Sequence, residues 1–330
     1  MSKEPIMLQA VLKHNIWGGD RLHNEFGYND AEGNNEGIGE CWGIAAHPNG
    51  DNTIISGQYK GMKLSELWDK HPELFGNEGG DRFPLLIKII DAKSDLSIQV
   101  HPDDSYAKVH ENGSLGKTEC WYIMDCSKDA TLVMGHNAKT RDELKEMIGD
   151  KKWSELIREV PIKKGDFFMI NPGTVHAIKG GTLILETQQN SDITYRVYDY
   201  DRLQNGKPRQ LHIQQSEDVI TVPAASMGDC KVETQNMPVD KLNRLFGCQY
   251  FTVYKIDVNK GFSFAEDLPF MLMSVLSGEG TVNGTKVKKG DHMLLPAGTG
   301  SVDLGGCRLI KKGDPFEQVG GQRRRAGLMV

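Results

Sequence analysis

Residues 163–176 read KKGDFFMINPGTVH, and residues 288–301 read KKGDHMLLPAGTGS. The two stretches align without a gap, sharing Lys-Lys-Gly-Asp at their start and Gly-Thr at 173–174 and 298–299. Each joins a glycine turn to a short apolar run and then to a second glycine turn, the pattern of strand, turn, strand. A unit read twice implies two homologous β-domains, and 330 residues suffice for two at roughly 100–200 per domain. The boundary is expected between Pro223 and Pro238, where VPAASMGDCKVETQNMP is polar and rich in small residues, giving domains 1–228 and 229–330.

Both copies resemble the second signature of the cupin barrel, G-x5-P-x-G-x2-H, a small jelly-roll of short antiparallel strands. The C-terminal copy matches as Gly290, Pro296 and Gly298, with Ser301 where a histidine would stand. The N-terminal copy matches as Gly165, Gly173 and His176, with Asn171 in the proline position and Pro172 displaced by one. Only the first can present an imidazole there. FAEDLPFMLMSVLSGEG, earlier in the second unit, offers no His-x-His or Gln-x-His, so that barrel is expected to be metal-free and structural.

The rest of the chain fits a mainly β fold. With 37 glycines and 38% hydrophobic residues it is globular and rich in tight turns. Residues 1–60 show short apolar pieces and no helix signal. GMKLSELWDKHPELFG, 61–76, carries apolar residues at near-helical spacing between glycines and predicts one or two short helices. Within 83–104, LLIKII reads as a buried strand and LSIQVH as an alternating one that ends at Pro102. TRDELKEMIGDKKWSELIREV, 140–160, is amphipathic and opens with Thr140 three residues before Glu143, a capping box, so a helical insert is expected at about 137–160.

Charge and cysteines narrow the function classes. A net charge of −6 offers no broad positive field for nucleic acid. The one basic cluster, Arg323, Arg324 and Arg325, reads as a solvated tail. The six cysteines (Cys41, Cys120, Cys126, Cys230, Cys248, Cys307) are scattered without a C-x-x-C pair or a secretory leader, which reads as reduced and cytoplasmic. No apolar run is long enough to span a membrane.

On a strand, residues two apart share a face. In LSIQVH, Ser97, Gln99 and His101 therefore point one way and Leu96, Ile98 and Val100 the other. GKTECWYIM places Lys117, Glu119 and Trp121 together, and a carboxylate inside such apolar text needs a partner. His176 follows the Asn171-Pro172-Gly173-Thr174 turn. Gln99, His101, Glu119 and His176 would make a mixed nitrogen and oxygen site suited to Zn²⁺, with room for water or substrate. TYRVYDYDR sets Thr194, Arg196, Tyr198, Tyr200 and Arg202 on one face, a wall for an anion or sugar, or else an exposed strand whose arginines pair with Asp199 and Asp201.

Taken in order, WGGDRL (17–22), GECW (39–42), PLLIKIIDA (84–92), LSIQVHPDD (96–104), GKTECWYI (116–123), NPGTVHAI (171–178) and TYRVYDYDR (194–202) resemble the type I phosphomannose isomerases in their short bacterial form. The resemblance implies zinc on Gln99, His101, Glu119 and His176, and catalytic roles for Arg196 and Lys117. It also implies a substrate contacted by Ser97, Lys117 and Arg196. The implied reaction interconverts mannose 6-phosphate and fructose 6-phosphate through a cis-enediol, in a monomer or homodimer. The base is left open between Lys117, which would need burial and a nearby cation, and Glu186, whose facing LILETQQ does not settle. Two other classes stay open: an Fe(II) dioxygenase on His101, Glu119 and His176, and a non-catalytic sugar-phosphate-binding cupin.

Overall fold

The computed structural model describes residues 4–305 except 235 and 267, together with the backbone of two short strands, Glu317–Gln318 and Gly327–Met329. Arg323, Arg324, Arg325 and Cys307 lie outside the described residues.

The fold is mainly β, and its first unit is built from two sheets. Leu85–Ala92, buried along its whole length, runs between Thr182–Gln189 and Val11–Gly19 in an eight-stranded sheet. Glu119–Cys126 and Phe167–Ile170 extend that sheet on one side, and Ile38–His47 on the other. A five-stranded sheet faces it, in the order Ile157–Pro161, Thr131–His136, His176–Ile178, Ile98–Val100, Tyr195–Tyr198. Trp17, Ile90, Trp121, Phe168 and Ile184 pack against Leu132, Met134 and Ile178 between the two sheets.

The helical insert covers the outer face of the smaller sheet. Arg141–Gly149 begins where Thr140 Oγ1 accepts the Glu143 amide, and Leu144, Met147 and Ile148 pack on Ile98, Val100, Val175 and Ala177. The helical reading to 160 is too long. Lys151, two residues past the end of that helix, adopts φ 56°, and a short helix, Trp153–Leu156, passes directly into the strand Ile157–Pro161. The other expected helices form as Leu64–Lys70 and a 3-10 turn, Pro72–Phe75. One turn of helix at Arg21–Asn24 had no signal, because four residues are too few to show a period.

The two repeat copies fold alike. In each the Lys-Lys-Gly-Asp turn is tied by its aspartate: the Lys163 amide donates to Asp166 Oδ2 at 3.1 Å, and the Lys288 amide to Asp291 Oδ2 at 2.7 Å. Gly165 and Gly290 both take φ 90°, where a side chain is strained. The strands that follow are Phe167–Ile170 and His292–Leu295.

The second unit is stitched to the first by a strand from the very start of the chain. Ile6–Gln9 pairs with His292–Leu295, and one apolar cluster joins Ile44, Leu67 and Phe75 to Phe251, Phe270 and Leu294. A polar link crosses the same seam: the Tyr28 hydroxyl meets His292 Nε2 at 2.9 Å, and Ser274 Oγ meets His292 Nδ1 at 2.7 Å. Gly43 lies so close that a Cβ there would come within 2.2 Å of the His292 ring. Gly43→Ala is therefore expected to destabilise the protein by about 1–3 kcal/mol, read as a lower urea midpoint, and to cost much less in a His292→Ala background, where the ring it would strike is gone.

Candidate metal centre

The site lies at one end of the first unit, between its two sheets. In the smaller sheet Gln99 is flanked by His176 on one side and Arg196 on the other. His101 follows the strand Ile98–Val100, at the point where Pro102 ends the ladder. Glu119 opens a strand of the facing sheet, between Ile170 and Gln188. Glu119 and His176 are fully buried and His101 is 1% exposed.

Backbone carbonyls orient both imidazoles. His101 Nδ1 donates to Ile193 O and His176 Nδ1 to Thr174 O, each at 2.8 Å, so both Nε2 atoms present lone pairs. Those Nε2 atoms stand 3.1 Å apart. Glu119 Oε1 lies 3.3 Å from His176 Nε2, and Glu119 Oε2 lies 3.6 Å from His101 Nε2. Electron-pair donors crowded this closely repel unless a positive charge joins them. Burial holds His176 down to about 4 and His101 well below the ordinary imidazole range, with Lys117 adding to both, so neither ring supplies that charge. Glu119 Oε1 accepts no hydrogen bond.

The donor set fits a divalent cation. His101, Glu119 and His176 each turn one ligand atom to a common point, all within 4.8 Å of one another. Gln99 Nε2 lies 3.3 Å from His176 Nε2, and a half-turn of that amide would present its oxygen instead. The Lys117 ammonium, 2.7 Å from Glu119 Oε2 and 3.1 Å from His101 Nε2, stands at the edge of the same cluster.

Beyond Lys117 the charges alternate. Glu186 Oε1 lies 3.9 Å from Lys117 Nζ and 3.4 Å from Lys88 Nζ, and Lys88 reaches Glu40 Oε2 at 3.5 Å. Trp121 Nε1 donates to Glu186 and Trp42 Nε1 to Glu40. Burial works to neutralise Lys88, but Glu40 and Glu186 outweigh it and raise its pKa above the ordinary lysine value. Burial would likewise raise Glu186, yet Lys117 and Lys88 hold it below the usual carboxylate range. Glu119 moves the other way, raised by burial and by the neighbouring Glu186 against the pull of Lys117.

A cleft of about 120 Å³ opens over this chain, lined by Ser97, Gln99, Lys117, Glu186, Arg196 and Arg209 among others. The expected facing of Ser97, Gln99 and Arg196 therefore matches the cleft, and Glu186 also turns into it. Leu96 lines it too rather than pointing away, because the regular strand begins only at Ile98. The long wall expected along Thr194–Arg202 breaks after Arg196, where the register slips before Tyr198. Tyr198 stacks on Trp153 at 4.6 Å, and Arg202 pairs with Asp199.

Lys88, Glu40 and Arg209 escaped the sequence reading. A lysine in the middle of the apolar run LLIKII was a usable signal, since a buried ammonium demands carboxylates. Arg209 had none: it reaches the cleft because the small hairpin of Leu203–Gln204 and Lys207–Pro208 turns the chain back.

Residues 6–115 match the family model described as phosphomannose isomerase type I, catalytic domain, and residues 241–312 match mannose-6-phosphate isomerase, cupin domain. The chain is 51% identical over 312 residues to mannose-6-phosphate isomerase ManA of Bacillus subtilis, covering 93% of this chain and 97% of that one. The chain belongs to the type I phosphomannose isomerase family. A mannose-6-phosphate isomerase of Streptococcus mutans is 46% identical, over 89% of this chain and 92% of its own. The crystal structure of the Bacillus subtilis mannose 6-phosphate isomerase superposes with a TM-score of 0.85 at 45% identity, covering 92% of this chain and 97% of that one.

In this phosphomannose isomerase family member the alternating charges are also a stability constraint. Lys88→Met strands Glu40 and Glu186 without their shared cation. The variant is expected to lose about 3–5 kcal/mol, measured by urea unfolding at neutral pH.

Proposed function

We propose that the chain interconverts mannose 6-phosphate and fructose 6-phosphate, with Zn²⁺ held by Gln99, His101, Glu119 and His176. The observation that carries this reading is the pair of Nε2 atoms 3.1 Å apart beside the unpartnered Glu119 Oε1, at the foot of a cleft lined by Lys88, Lys117, Arg196 and Arg209. The activity named for the Bacillus and Streptococcus relatives supports the substrate.

The reaction moves one proton between C2 and C1 and carries the carbonyl the other way through a cis-enediol, so it needs no redox partner. Zn²⁺, when bound, supplies positive charge to the oxygen that becomes anionic as the C–H bond breaks. Arg196 and Lys117 are the catalytic side chains of this reading. Arg196 Nε is buried without a hydrogen-bond partner, a donor available to an oxyanion or phosphate. Arg209 lines the cleft with it, and Ser97 and Lys117, in the same lining, are the residues that we assign to the sugar. Glu186 is the cleft carboxylate that we assign as a carrier of the proton.

His101, Glu119 and His176 alone would also suit Fe(II) in an oxygenase. Four cations around the cleft favour a phosphorylated substrate instead. The division into a catalytic unit, 1–228, and a second cupin unit, 229–330, is part of the same proposal, with Ile6–Gln9 lent across the boundary in one direction and Lys231–Val232, paired with Phe167–Phe168, in the other. A reduced, cytoplasmic setting accords with the five free cysteines among the described residues.

The deciding experiment is chelation of the purified protein in an assay coupled to mannose 6-phosphate turnover. Activity is expected to vanish with the metal and return with added zinc; full turnover by metal-free protein would refute the assignment. Glu119→Gln and His176→Ala are each expected to lose bound metal and about a hundredfold or more in activity. Ser301→Ala, at the equivalent position of the second unit, should change neither. Arg196→Ala is expected to lower kcat/KM about 10–100-fold, the worth of one hydrogen bond to a charged group, in steady-state assays over a range of substrate concentrations.

A further inference from the structure

We infer that Tyr250, in the second cupin unit, is a positioning residue for the metal centre of the first, acting through Asp104 and Gln189 on the Thr118 amide. Thr118 stands between Lys117 and Glu119, in a stretch that has no strand neighbours until Glu119 opens its strand. Something other than a ladder must hold Lys117. The Lys117 amide donates to Pro102 O at 3.0 Å, and Gln189 grips Thr118 on both sides. Its amide donates to Thr118 O at 3.1 Å, while its Oε1 accepts from the Thr118 amide at 2.9 Å.

Gln189 is in turn held from outside. Its Nε2 donates to Asp104 Oδ1 at 3.0 Å, and the Gly116 amide donates to the same oxygen at 2.8 Å. The other carboxylate oxygen, Oδ2, accepts the Tyr250 hydroxyl at 2.6 Å. Tyr250 sits at the tip of the hairpin formed by Asn243–Gly247 and Thr252–Lys255. One carboxylate thus gathers donors from the helix-proximal loop, from the strand behind the site and from the second unit. Gly116 lies so close to the Asp103–Asp104 backbone that a Cβ there would come within 2.4 Å, so the loop and the helix start are in direct contact. Thr118 and Gln189 are buried, and Gln189, Asp104 and Tyr250 border one cavity between the units. A shift of the Asp104 carboxylate is relayed to the residue on each side of Thr118. One of these is a proposed metal ligand and the other a proposed catalytic lysine, so the inference rests on that reading of the site.

Tyr250→Phe removes one oxygen and leaves the ring in place. It is expected to lower kcat about 3–10-fold with KM changed less than about twofold, and to weaken metal binding by a similar factor. Metal binding is measured by zinc competition with a chromogenic chelator, while circular dichroism checks the fold. Gln189→Glu sets a second carboxylate 3.0 Å from Asp104; its loss should exceed that of Tyr250→Phe, and adding Asp104→Asn should recover part of it. Unchanged kcat and unchanged zinc affinity in Tyr250→Phe would overturn the inference, as would the absence of any recovery in the double variant. Absence of isomerase activity in the unaltered protein would refute the proposed function instead, and zinc affinity would still decide the role of Tyr250.

Discussion

Two imidazole nitrogens and a carboxylate meet where water is almost excluded, and the first unit is arranged around that meeting. Neither imidazole can relieve the crowding by itself. The rings are held neutral by burial and locked by their carbonyl partners, and the carboxylate has one oxygen with no donor. Positive charge at the centre offsets that crowding; Lys117 borders the cluster and a divalent cation would complete it. From there the charges alternate outward through Glu186, Lys88 and Glu40, each cation shared by two carboxylates. The cleft inherits this strip of fixed charge as its floor, with Arg196 and Arg209 as its wall.

The sheets determine which residues can take part. Gln99, between His176 and Arg196 in one ladder, sets an imidazole and a guanidinium on neighbouring strands. The facing sheet contributes Glu119, Glu186 and Lys88 from adjacent strands, since Glu186 pairs with Lys88 on one side and with Trp121 on the other. No residue of the helical insert lines the cleft. The insert covers the apolar back of the strands that carry Gln99 and His176 and so keeps their polar faces turned inward.

The two repeat copies have kept their turns and parted in their chemistry. Both retain the aspartate-tied turn and the glycine in the left-handed region, which are requirements of the backbone. His176 has Ser301 as its counterpart, and the buried imidazole of the second unit, His292, is held by Ser274 within its own unit and by Tyr28 across the seam. A histidine there serves to join the units. The second unit is thus closely packed on the first through both an apolar cluster and polar links, one of which runs towards Thr118.

Much of the site could be read in advance because it sits on short strands whose alternation is visible in the text. LSIQVH and GKTECW assign Gln99, His101, Lys117 and Glu119 to common faces, and the glycine turn before His176 aims a third donor. The period of two is a local property, so local sequence is enough to show it. Where the backbone leaves that period, the reading fails: the slip after Arg196 sends Tyr198 to the other side, and Lys151 in the left-handed region ends the helix early. Lys88 and Glu40 are farther out of reach, for they meet only through the pairing of Leu85–Ala92 with neighbouring strands. By itself the sequence determined the repeat, the β character and the candidate donors, all of which follow from turn chemistry and alternation along one chain. The tertiary structure decided which charges share partners, that Arg209 enters the cleft and that Tyr250 reaches Asp104, because those contacts join segments far apart in the chain and only the packed sheets set their distances.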